Sequence, residues 1–128
     1  MKEHYFDFWL FSKDGLPIAE FTGEQALDKS ILGGLVSALK IFSQQFTSKG
    51  LQSLLLEDNR FTFVSTLENS AILVCRTSSN VKEKKIQKIC NNIVKVFEEL
   101  YDPNDIINWD GDISFFDKFR EKLENYIK

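Results

Sequence analysis

The segment order of this sequence predicts an α/β fold of the α+β kind. Its expected topology is ββαβββαα, with a five-stranded antiparallel sheet ordered 2-1-5-4-3, one helix on one face and two on the other. Three observations carry the prediction. An aromatic strand pair opens the chain, a long helical periodicity follows, and three closely spaced strands precede two helical stretches. The 128 residues and 43% hydrophobic content fit one domain, 1–128, with one core.

The first strand, His4 to Ser12, is apolar on both alternating sets. Phe6, Phe8 and Leu10 lie on one side, and Tyr5, Trp9 and Phe11 on the other, so both faces need cover. Lys13-Asp14-Gly15-Leu16-Pro17 supplies the turn, and Leu16 to Phe21 returns as the second strand. Leu27, Ile31, Leu35, Leu39, Phe42 and Phe46 then recur along one arc of a helix from Leu27 to Phe46. Leu32, Val36 and Ile41 widen that arc, while Gly33, Ser37, Lys40 and Gln44 form the opposite stripe. Gly33-Gly34 inside a helix suits the close approach of another backbone. Lys49-Gly50 ends the helix.

Leu51 to Glu57, Arg60 to Leu67 and Ala71 to Cys75 read as strands whose short connectors permit only antiparallel hairpins. The first strand and Ala71 to Cys75 belong in the middle of the sheet, because both are apolar throughout. Leu51 to Glu57 and Leu16 to Phe21 are left for its edges. A helix from about Lys82 to Tyr101 follows, capped by Ser79 or Asn80 and stopped by Pro103, with Ile86, Ile89, Cys90, Ile93, Val96, Phe97 and Leu100 as its buried stripe. The last helix, Ile113 to Ile127, is capped by Asp112 and turns Phe116, Phe119, Leu123, Tyr126 and Ile127 inward.

Composition excludes several functional classes. A net charge of -3 argues against a nucleic-acid partner, which requires a surface excess of Lys and Arg. Cys75 and Cys90 are too few for a disulfide framework and read as reduced, buried thiols. Asp7 interrupts the apolar N-terminus, and no window is apolar enough to span a membrane, so a cytoplasmic protein with at most peripheral membrane contact is expected. His4 is the only histidine, and neither a phosphate loop nor a dinucleotide fingerprint occurs. The expectation is a protein that is not an enzyme and takes no cofactor or metal.

Two local clusters read as structure rather than chemistry. Asn108, Asp110, Gly111, Asp112, Ile113 and Asp117 overlap part of a calcium-loop pattern, but its first ligand position falls on Ile106 and its last carries Asp in place of Glu. A helix-capping turn is the preferred reading. Lys82, Lys84, Lys85 and Lys88 crowd one helix start and read as a solvated face.

The stretch Phe8-Trp9-Leu10-Phe11-Ser12-Lys13-Asp14-Gly15-Leu16-Pro17-Ile18 resembles the opening hairpin of longin domains, in which a hydrophobic strand runs into an S-x-x-G-x-P-I turn. Asn59-Arg60-Phe61-Thr62-Phe63-Val64 and the apolar strand ending in Arg76-Thr77 are similar to the longin subunits of exchange-factor complexes for small GTPases. The resemblance covers roughly residues 4 to 127. It implies a profilin-like sandwich acting as a protein-binding adaptor in vesicle trafficking. Such a module forms a homodimer or a longin/roadblock heterodimer and contacts a small Ras-like GTPase. The partner-binding residues expected are Leu32, Gly33, Val36, Ser37 and Lys40 on the long helix, with Leu51, Ser53 and Leu55 on the edge strand offering main-chain pairing. The alternatives are a structural subunit of a tethering or coat-like assembly, a roadblock-like scaffold, and a small-molecule sensor read through Trp9 and Trp109.

Overall fold

The computed structural model describes residues 6–12, 16–21, 52–56, 59–68 and 70–127. The helix expected from Leu27 to Phe46 lies outside the described residues, as do His4, Gly33-Gly34 and Lys49-Gly50.

Strands β1 (Phe6–Ser12), β2 (Pro17–Phe21), β4 (Asn59–Thr66) and β5 (Ala71–Ser78) form the antiparallel body of the sheet in the order β2-β1-β5-β4. Strand β3 (Gln52–Leu56) pairs with the outer side of β4. The apolar strands β1 and β5 therefore sit side by side at the centre, with Phe8 opposite Cys75 and Leu10 opposite Leu73. A register shift between Leu10 and Phe11 brings Pro17 into pairing at the sheet edge, a position where its missing N–H does no harm.

Strand β5 runs three residues beyond the expected end at Cys75, through Arg76, Thr77 and Ser78. The charge of Arg76, beyond the apolar run, is neutralised within the sheet. Arg76 stands in register with Asp7 of β1, and the two form a buried ion pair.

Helix α1 (Glu83–Leu100) buries Ile86, Cys90, Ile93 and Phe97 of the expected stripe, while Ile89, Val96 and Leu100 are only half-buried at its margins against the core. Its start corrects the sequence reading: Lys82 occupies the N-cap without a side-chain hydrogen bond, and neither Ser79 nor Asn80 caps the helix. Asn80 instead accepts a hydrogen bond from the Ser78 hydroxyl, and Val81 turns into the core before the helix begins.

Pro103 does more than stop α1. It opens a short helix, α2 (Pro103–Ile107), held by a capping box in which Asp105 N–H donates to Asp102 and Asp102 N–H donates to Asp105. The last helical stretch then divides into a 3-10 turn, Ile113–Phe116, and helix α3 (Asp117–Ile127).

The main core lies between the sheet and these helices. Phe8, Leu10, Leu73 and Cys75 from the sheet meet Ile86, Ile93, Phe97, Phe116, Phe119 and Leu123. Phe97 anchors the helical side, with ring centroids 5.0 Å from Phe119 and 5.2 Å from Tyr101. Alternation along the strands sends Trp9, Phe61, Phe63, Ile72 and Val74 to the opposite face, where they too are buried.

Candidate functional site

Among the described residues β3 has β4 on one side and no strand on the other, so its outer main-chain groups form a sheet edge. Ser53 stands opposite Thr62 and Leu55 opposite Arg60. The register continues from Arg60 to Thr77 and from Thr62 to Cys75, placing Ser53 and Leu55 on the face that carries α1. Leu55 is 55% exposed, which leaves a branched apolar side chain in solvent beside the strand edge. Ser53 is also exposed and accepts a long hydrogen bond, 3.4 Å, from Arg60.

The other expected partner residues, Leu32, Gly33, Val36, Ser37, Lys40 and Leu51, lie outside the described residues. The described part of the site is therefore the strand edge with Leu55, Ser53 and Arg60. Arg60 was missed in the sequence reading, yet period-two alternation signals its place: Arg60, Thr62 and Val64 share a face.

A cleft of about 470 Å³ is lined by Asp105, Asn108, Trp109, Asp110, Asp112, Ser114 and Phe115. Its carboxylates are engaged in local structure. Asp110 accepts from Asp112 N–H, and Asp112 accepts from both the amide and the hydroxyl of Ser114. Those Ser114 hydrogen bonds, the hydroxyl's first, hold the Asp112 carboxyl below the ordinary carboxylate value. Asp112 thus caps the 3-10 turn as expected, Gly111 supplies the left-handed residue before it at φ +94°, and Asp117 pairs with Arg120. No group of three or more His, Cys, Asp or Glu poised around a metal position occurs among the described residues.

Trp109 packs edge-on against Phe116 at 5.0 Å and donates its indole N–H to the Asp112 carbonyl. Trp9 is buried on the opposite face of the sheet. The two tryptophans consequently do not share a cleft. Lys82, Lys84, Lys85 and Lys88 are all exposed on the first turns of α1, as a solvated face requires. No described helix is long and apolar enough to cross a membrane.

The β4–β5 turn carries a further interaction across the main core. Leu67 and Glu68 adopt φ of 51° and 54°, which is uncommon for residues with a side chain. Glu98 of α1 accepts from the Thr66 hydroxyl at 2.7 Å and from Leu67 N–H at 3.3 Å, tying the helix to the turn. No protein-family model matches this chain, and no curated protein matches it.

Proposed function

We propose that the protein is a non-enzymatic interaction module of the longin type that dimerises and recruits or regulates a small Ras-like GTPase in membrane-trafficking machinery. The observation that carries this reading is the strand edge at β3, where among the described residues no strand pairs with the outer side, beside the exposed side chain of Leu55. An extended partner strand adds to such an edge through backbone hydrogen bonds, while an apolar side chain at its rim fixes position and register.

The finer architecture belongs to the same proposal. The helical periodicity of residues 27–46 suits a cover for the second sheet face, which would complete a profilin-like sandwich with α1 and α3 on the other. The burial of Trp9, Phe61, Phe63, Ile72 and Val74 supports it, because α1 and α3 pack against the other side. The stripe Leu32, Gly33, Val36, Ser37 and Lys40 is the proposed GTPase contact.

A pull-down from lysate, divided between GDP and a non-hydrolysable GTP analogue, tests the reading. Nucleotide-dependent recovery of a small GTPase supports it. Recovery of one partner set in both halves, with no GTPase in either, replaces it with a structural role in a tethering assembly.

A further inference from the structure

Cys75 in the middle of β5 and Cys90 in the middle of α1 are both buried, and their sulfur atoms lie 2.9 Å apart. A disulfide bond is about 2.05 Å long, so about 0.9 Å of further approach would join them. The contact bridges the two layers of the main core. Cys75 is flanked across the sheet by Phe8 and Thr62, and Cys90 lies between Ile86 and Ile93 on the buried stripe of α1. Among the described residues no third ligand-bearing side chain joins them to make a metal site.

We infer that Cys75 and Cys90 are a reversible dithiol–disulfide site that cross-links β5 to α1, with a low-molecular-weight disulfide such as oxidised glutathione as the oxidant. The chemistry proceeds by two exchanges. When α1 lifts from β5, one cysteine thiolate attacks a sulfur of the oxidant, forming a mixed disulfide and releasing one thiolate. As the helix settles back, the second cysteine attacks the protein sulfur of that mixed disulfide, closing the Cys75–Cys90 bond and releasing the second thiolate. The two protons lost by the cysteines go to the two released thiolates, and the oxidant's disulfide is reduced as the protein's is formed.

Burial and the neighbouring Cys90 sulfur push the Cys75 thiol well up, so the closed fold holds Cys75 as a thiol and opening of α1 sets the rate. The site depends only on the packing of α1 on β5. It is independent of any partner of the β3 edge.

The test is to incubate the reduced full-length chain with glutathione disulfide under native conditions, then determine intact mass and map the linked peptides. The expected product is a monomer two hydrogen atoms lighter, with residues 75 and 90 joined, and dithiothreitol restores the starting mass. Closing this 15-residue span raises the melting midpoint by roughly 10 °C. Cys90→Ala should give no intrachain link. The inference is overturned if both thiols survive after the α1 amides have exchanged with solvent, if only glutathione adducts or interchain links form, or if the oxidised chain melts below the reduced one.

Discussion

Asp7 and Arg76 face each other across the two central strands as an ion pair, with side chains only 1% and 3% exposed. The charges lie 69 residues apart in sequence, yet each occupies a position that a strand pattern assigns to an apolar side chain. Burying two charges is costly, and their mutual attraction roughly offsets that cost only when both are present.

Asp7→Ala should accordingly be severe. It removes the carboxylate that Arg76 pairs with inside the sheet, and a loss of about 3–5 kcal/mol is expected in urea unfolding. Asp7→Leu combined with Arg76→Met removes both charges and should cost much less than Asp7→Ala alone. A double substitution as damaging as the single one would show that the pair is not coupled.

The left-handed turn between β4 and β5 gives a prediction of the opposite sign. Glu68→Gly relieves its φ of 54° and should stabilise the chain by about 0.5–1 kcal/mol. Glu98→Ala removes the acceptor for Thr66 and Leu67 and should destabilise it by about 1–2 kcal/mol. Thermal melts of both variants at matched concentration decide the two signs.

Leu55→Glu bears on the interaction surface. The side chain is already largely in solvent, so monomer stability should stay within about 0.5 kcal/mol of the parent. Self-association should be lost in sedimentation velocity. A dimer that persists with unchanged affinity would place the interface elsewhere.

The Asp112 carboxyl is held below its ordinary value of 3.8 by Ser114, so its folded-state value lies under its unfolded one. Its contribution to stability is complete above the unfolded value and fades as pH falls through the folded value. Melting midpoints measured from neutral pH down through this range should fall on the acid side, and Ser114→Ala should reduce that acid-side fall.

Local periodicity made much of the fold legible. Strands apolar on both sides identified β1 and β5 as central, and the stripe from Ile86 to Phe97 identified the buried side of α1. The extension of β5 was not legible, because the counter-charge for Arg76 comes from a strand distant in sequence. Pro103 signals a stop to α1 but also an N1 position, and Asp102-Pro103-Asn104-Asp105 carries the capping-box pattern that opens helix α2. At the candidate site, the edge place of β3 was legible from its weaker apolar pattern, and Leu55 on it is exposed. Its neighbour Arg60 depended on cross-strand register, which side-chain alternation alone does not set.

The place of β1 between β2 and β5 also bears on how the chain emerges from the ribosome. Its first neighbour, β2, follows within a few residues, but its second is synthesised only after residue 70. At about 5–20 residues per second, β1 waits several seconds with one edge unpaired and Phe8, Trp9 and Leu10 uncovered. The sheet therefore closes around the nascent hairpin only when β5 arrives.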